Sequence, residues 1–295
     1  MIRFSRYIWL YILISASVLV PGVYSLVIYG LRPSVDFTGG TLLELKFDKD
    51  IGNGQIEAVG SKAGVAISSF QKTSGNTFLL RLKSESEEKI PKFQEMLTKE
   101  ASRSYEVLRE ESVGPVLGKE LLGKAAIAAG IAILGILLYV AWAFKNVRFG
   151  VSAILALVHD LLVVVGCFSL FGHYFGVEVD TLFVTAFLTT MSFSVHDTIV
   201  VFDRIREMTK KGVKMPFEDM CDTALTETMG RSLINSLTII FMLVALILLG
   251  GDTIRWFVVA LLIGTISGTY SSPFVATPVL LLWYKFQGRF QKRKP

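Results

Sequence analysis

Six apolar runs govern what this chain can fold into. They fall near residues 7–29, 125–144, 149–171, 182–202, 232–249 and 256–284. Each approaches or exceeds the roughly 20 helical residues that cross a hydrocarbon core of about 30 Å. Inside that core each backbone N–H and C=O needs an internal partner, so such a run is predicted as a helix. The 295 residues are 52% hydrophobic and mean hydropathy is +0.54, which excludes an ordinary soluble domain. Pro273 and Pro278 predict a kink or an early exit in the last run. The first run follows Arg3 and Arg6, is longer than a signal-peptide core, and ends in YGLRP rather than a small-residue exit. It is predicted to remain as a span.

The net charge of +5 does not point to nucleic acid, because the basic residues sit at the ends of the runs. Arg3 and Arg6 precede span one, Lys145 and Arg148 follow span two, and Arg204, Arg206, Lys210, Lys211 and Lys214 follow span four. Lys285, Arg289, Lys292, Arg293 and Lys294 close the tail. The intervening turns offer Glu178 and Asp180, or Asp252 with Arg255. This alternation predicts a multi-pass protein with both termini cytoplasmic. Cys167 and Cys221 form no CxxC pair or Cys/His cluster and are expected as free thiols, with no metal.

The stretch 31–122 is charged and has no spanning run, so it is predicted as an extracytoplasmic domain. TLLELKF alternates as a strand, GQIEAVGSKAG reads as a short helix, and VAISSFQ and TFLLRLK read as strands joined at TSGN. EEKIPKFQEMLTKEA reads as a helix with Pro91 in its first turns, and YEVLREESV as a last strand. The order β-α-β-β-α-β predicts a ferredoxin-like α+β domain. The chain therefore divides into a first transmembrane helix (1–30), that domain (31–122), a five-helix remainder (123–286) and a basic cytoplasmic tail (287–295). Within the remainder, the cytoplasmic loop 204–230 contains MPFEDMCDTALTETMG, an amphipathic pattern. It fits a helix lying at the inner interface or one packed on the bundle.

Two spans carry acids. His159 and Asp160 interrupt span three, and His196 and Asp197 interrupt span four. A carboxylate at the bilayer centre costs about 2.5–3.5 kcal/mol on insertion scales, so an intramembrane acid is a functional candidate by default. Asp197 is the strongest, with Thr189, Thr190, Ser192, Ser194, His196 and Thr198 as polar neighbours that would line a wet path. Burial and a nearby cation pull its proton affinity in opposite directions, the balance a proton carrier needs. Arg231, opening span five, either snorkels to the interface or pairs with Asp197. Asn235, Ser236 and Thr238 extend a polar stripe beyond it. His159 and Asp160 extend the relay or cap a structural network. Successive helical residues point about 100° apart, so the members of each pair are expected to face different neighbours. Gly264 and Gly268 form GxxxG, read as packing. GPVLGKE lacks the spacing and the Ser or Thr of a phosphate loop, and no nucleophile set is evident, so no enzyme activity is expected.

VDFTGGTLLEL, VGPVLGKEL, ALVHD, SVHDTIVVFDRIRE and GTYSSPFVATP occur in this order along the chain. Together they resemble the SecF family of bacterial protein-export membrane proteins. The family often has Asn where this chain has His196, which adds a titratable neighbour to Asp197. The resemblance implies a fold of six transmembrane helices plus one exported domain. It implies pairing with SecD into a twelve-span unit similar to transporters of the resistance-nodulation-division superfamily. The unit would join the SecYEG channel in the bacterial cytoplasmic membrane, with YajC and YidC as further partners. It would use the proton motive force to assist late translocation of a preprotein, after SecA has driven insertion. By motif position, Asp197 matches the family's essential span-four carboxylate and Arg231 the arginine opening span five. No cofactor is implied beyond a coupling ion, a proton or alternatively sodium. Two other classes share these features: half of an efflux transporter, and a scaffold in which the acids only join helices.

Overall fold

The computed structural model describes residues 3–48, 51–72, 76–83, 88–100, 104–144 and 146–291. Lys145, Lys292, Arg293, Lys294 and most of the expected TSGN turn lie outside the described residues. The described chain forms two compact units. One comprises residues 32–128 with 178–181, the other residues 1–31, 129–177 and 182–295.

The first unit is built on strands β1 (Gly40–Phe47), β2 (Ile67–Lys72), β3 (Thr77–Leu82) and β4 (Tyr105–Val113). The sheet order is β2-β3-β1-β4, with antiparallel neighbours throughout. This is the split β-α-β arrangement expected from the element order. Period-two alternation puts Leu43, Leu45 and Phe47 of β1 and Phe78, Leu80 and Leu82 of β3 on one buried face. They form one core with Ile56 and Val59, and with Ile90, Phe93 and Leu97, on the helices Asn53–Ala63 and Ile90–Glu100. Pro91 sits at the second position of the latter helix, where a missing N–H costs nothing.

The spanning helices are α1 (Ile8–Ile28), α5 (Pro115–Ala143), α6 (Val147–Phe175), α7 (Thr181–Lys210), α8 (Phe217–Leu249) and α9 (Asp252–Ser271) with its continuation α10 (Thr277–Gln291). The short Val35–Thr38 helix is α2, and Asn53–Ala63 and Ile90–Glu100 are α3 and α4. Six of these stretches are long and apolar enough to cross a membrane. The expected kink is a π-helical turn, Ser272–Ala276, at Pro273. A proline has no N–H to bond, and a widened turn absorbs its ring.

Two spans differ from expectation. Helix α5 begins at Pro115 rather than near residue 125. The loop 204–230 contains no separate interfacial helix: α7 runs on to Lys210, and α8 starts at Phe217 and continues without a break to Leu249. The apolar face of that segment supplies Met220, Cys221, Ala224 and Leu225 to the bundle core. Buried Asp222 accepts hydrogen bonds from Ser5 N (2.9 Å) and Ser5 Oγ (2.8 Å). Arg204 reaches both Glu207 and Glu227 at 2.6 Å, and Phe217 stacks on Tyr284. Enough neighbours cover the stripe that it packs on protein rather than on lipid.

Close approaches set the bundle. Gly22 of α1 and Gly166 of α6 meet backbone to backbone, so that a Cβ on Gly166 would lie 2.7 Å from Gly22 Cα. Gly264 and Gly268 let α9 lie against Thr190 and Ser194 of α7. The GxxxG pair is thus a packing feature, and it brings two hydroxyl-bearing helices within hydrogen-bond reach.

Candidate functional site

Asp160 lies near the middle of α6 and is 2% exposed. Ser194 Oγ of α7 donates to its Oδ2 at 2.5 Å. From α9, Ser267 Oγ donates to Oδ1 and Ser271 Oγ to Oδ2, both at 2.6 Å. His159 Nδ1 lies 3.0 Å from Oδ1. A carboxylate offers about four lone-pair sites, so these contacts saturate it. Ser267 and Ser271 are spaced i, i+4, which puts both hydroxyls on one face of α9. The close passage at Gly268 carries Ser194 into the same cage.

His159 does not turn away from α9, contrary to the expectation for adjacent residues. Its ring lies 6.2 Å from that of Tyr270, which neighbours Ser271. Helix α9 passes close enough to meet both members of the pair. His159 is buried, and its Nε2 has no hydrogen-bond partner among the described residues.

Asp197, one helix away, has a sparser environment. Its side chain is 8% exposed, and Ser232 Oγ donates to Oδ2 at 2.6 Å. Ser232 opens the deeper half of α8. Neighbouring Arg231 is exposed, and among the described residues no ion pair joins it to Asp197. His196 is exposed as well. Together His196, Asp197, Asn235, Ser236, Thr265 and Thr269 border a cavity of about 20 Å³, room for one water molecule. Thr269 Oγ1 donates to Ser236 Oγ at 2.7 Å on the wall of this space. Thr198 Oγ1 meets Ser272 Oγ at 2.9 Å, which ties α7 to the π-helical turn.

The two acids therefore face different helices: Asp160 faces α9 and Asp197 faces α8. Of the residues expected from sequence, Asp160, His159 and Asp197 are drawn into buried networks, whereas His196 and Arg231 stand at the surface of this chain. Ser232, Ser267 and Ser271 were not anticipated as partners. Only the i, i+4 serine spacing before Pro273 signalled two of them. Among the described residues, no three His, Cys, Asp or Glu side chains converge to hold a metal ion.

The energies separate two roles for Asp160. Interhelical hydrogen bonds inside a bilayer average about 0.6 kcal/mol, so three contribute about 2 kcal/mol. Placing the acid there costs about 2.5–3.5 kcal/mol. The cage roughly offsets that cost and leaves no surplus, so what it supplies is the register of α6, α7 and α9 rather than added stability.

Residues 92–286 match the family model described as "Protein export membrane protein SecD/SecF, C-terminal". Residues 24–51 match that of the SecD/SecF GG motif. The chain is 42% identical to the protein translocase subunit SecF of Thermobaculum terrenum, over 96% of this chain and 94% of that protein. It is 39% identical to the SecF subunit of Anaerolinea thermophila, over 93% and 92%. Among solved structures it superposes on SecDF of Thermus thermophilus, described as a translocon-associated membrane protein. The TM-score is 0.82 at 30% identity, covering 95% of this chain and 38% of that one.

Proposed function

We propose, from the premise that this chain belongs to the SecD/SecF family of protein-export membrane proteins, that it pairs with SecD and couples an ion gradient to preprotein translocation. Asp197 is the exchanging group. The observation that carries this reading is the contrast between the two buried acids. Asp160 is saturated by its cage, whereas Asp197 has one serine and a water-sized cavity beside it. A group with spare hydrogen-bonding capacity can take up and release a proton without dismantling its surroundings. Asp160 then serves as the fixed polar anchor that keeps α6, α7 and α9 in register.

Arg231 and His196, exposed on this chain, are positioned to complete the relay with SecD. The basic residues beyond α7 and in the tail support an orientation with both termini in the cytoplasm. The α+β unit then lies on the far side, where the emerging preprotein and the SecYEG channel meet it. YajC and YidC are accessory partners in the same reading. One elementary charge crossing 100 mV carries about 2.3 kcal/mol, enough to bias two packings that differ by a few kcal/mol.

The test is Asp197→Asn in the complex with SecD, scored by export of a secreted reporter with and without a proton gradient. The gradient-dependent part is expected to disappear while co-purification with SecD persists. Unchanged gradient-dependent export would reduce the acids to helix joints. Restoration of export by a sodium gradient at constant pH would identify sodium as the coupling ion.

A further inference from the structure

A second and larger cavity lies behind the acid. It measures about 380 Å³ and is bounded by α7, α8, α9 and the π-helical turn, all within one compact unit. Its lining on α8 runs from Leu225 to Ile240, fifteen positions or about 22 Å along the axis. A methylene is close in size to a water molecule, whose share of liquid is about 30 Å³, so the space takes roughly a dozen such groups. Long and narrow, it suits a thread better than a compact ligand.

The walls make no call for water. Among the described residues five hydroxyls border the space, and each is already engaged. Thr228 Oγ1 donates to Ala224 O (2.8 Å), Ser232 Oγ to Asp197 Oδ2 (2.6 Å), Thr269 Oγ1 to Ser236 Oγ (2.7 Å) and Tyr270 OH to Tyr11 O (3.1 Å). Ser272 Oγ meets Thr198 Oγ1 at 2.9 Å. The other lining side chains are apolar. Val201 and Leu225 lie deep in the wall, 4% and 2% exposed, and Leu233 and Ile266 stand at the mouth, 44% and 49% exposed. An apolar cavity stays dry and accepts apolar ligands, and an unfilled one forfeits the contacts of its lining. Thr269 borders both this space and the water-sized cavity beside Asp197, and Ser232 lines this space while its hydroxyl holds Asp197. The two residues thus partition an apolar cavity from a polar one.

The mouth opens away from the polar face of α8. Arg231, Asn235 and Thr238 are exposed along one stripe, and Leu233, two positions from Arg231, lies about 200° round the helix. In the proposed assembly the stripe meets SecD, so what bathes Leu233 and Ile266 is the hydrocarbon of the bilayer. That placement of SecD rests on the proposed function; the cavity and its walls do not.

We propose that this cavity is a binding site for a single acyl chain of a membrane phospholipid, which enters between Leu233 and Ile266 and lies along α8 against Val201, Leu225 and Met229. With the chain in place, water meets Asp197 from the polar cavity and not from behind Ser232.

Photolabelling of the full chain tests this, alone and complexed with SecD. The nanodiscs contain phosphatidylethanolamine and phosphatidylglycerol, with a fraction of the lipid carrying a diazirine midway along one acyl chain. In the complex, adducts mapped by mass spectrometry are expected on Val201, Leu225 or Met229 as well as on exposed Leu237. Ile266→Trp, which crowds the mouth, is expected to lower the wall adducts at least tenfold and to leave those on Leu237 within twofold. Adducts confined to Leu233, Leu237 and Ile266 in the wild type would mean passing boundary lipid and would overturn the site. Wall adducts that appear on the free chain and vanish in the complex would make the occupant a segment of SecD, which also overturns it. Wall adducts that Ile266→Trp leaves undiminished would refute entry by this mouth.

Discussion

A single serine hydroxyl is a small group, yet three of them decide the character of Asp160. Removing one leaves part of a buried carboxyl unsatisfied, at a cost of about 1–3 kcal/mol. Ser267→Ala and Ser271→Ala are each expected to lower stability by about 1–2 kcal/mol. Ser192→Ala, on an exposed part of α7, is expected to change it by less than about 0.5 kcal/mol. Thermal unfolding of the detergent-purified chain checks both. Glu178 makes a separate prediction. Burial pushes its carboxyl up from 4.5 to about 7, while Arg81 and Arg32 pull it down and Asp180 pushes it further up. Because the folded value lies above the unfolded one, the folded chain holds a proton that the unfolded chain has released. This contribution to stability is greatest below pH 4.5 and declines until about pH 7. The melting temperature is expected to fall more steeply between pH 5 and 7 for the wild type than for Glu178→Gln. Parallel curves for the two would show that Glu178 is ionised throughout.

Helices meet through their smallest residues here. Gly166 of α6 touches Gly22 of α1 so closely that any added Cβ displaces backbone. Gly166→Leu is expected to cost at least about 1–3 kcal/mol, the range for overpacking a filled contact. It would also loosen the Ser25–Ser169 hydroxyl pair, now at 2.8 Å. A Cβ added at Gly130 of α5 would meet no neighbour within 4 Å among the described residues. Gly130→Ala is therefore expected to be tolerated and to gain up to about 1 kcal/mol from helix propensity. A comparison of unfolding midpoints separates the two classes of glycine; equal losses at both sites would refute the close contact. The continuity of α8 is a second lesson about elements. Its first four turns read as an independent amphipathic helix because the pattern is local. The core cluster that receives them is assembled from Phe4, Ile8, Met208 and Leu280, which are scattered along the chain.

For the molecule as a whole, the proposed orientation makes a simple prediction. A cysteine at Lys211, in the basic connection after α7, is expected to react with an impermeant maleimide in inverted vesicles. One at Lys62, on α3 of the α+β unit, is expected to react in spheroplasts. The reverse pattern would overturn the topology and move the exported domain to the wrong side. Much of the large-scale plan was legible before any coordinates. Strand β4 spans Tyr105–Val113, the same nine residues that read as the last strand in YEVLREESV. Six spanning stretches and the β-α-β-β-α-β order follow from hydrophobic period and length. The partners of the acids were not legible: nothing local in SVHDTIVVF says that Ser232 rather than Arg231 faces Asp197.

Membrane insertion and strand alternation are properties of neighbouring residues, because burial repeats at about 3.6 or 2 positions along a regular backbone. Any chain with this order of apolar and polar residues inherits them. Which hydroxyl reaches which carboxyl depends instead on how two helices are rotated and how closely they pass, to within a fraction of an ångström. Glycines such as Gly268 set that distance, and its effect appears only once α7 and α9 are side by side. The bonds that Thr181 N and Oγ1 donate to Asp36 Oδ2 are of the same kind: the partners are 145 positions apart in sequence, and only the folded chain closes that gap.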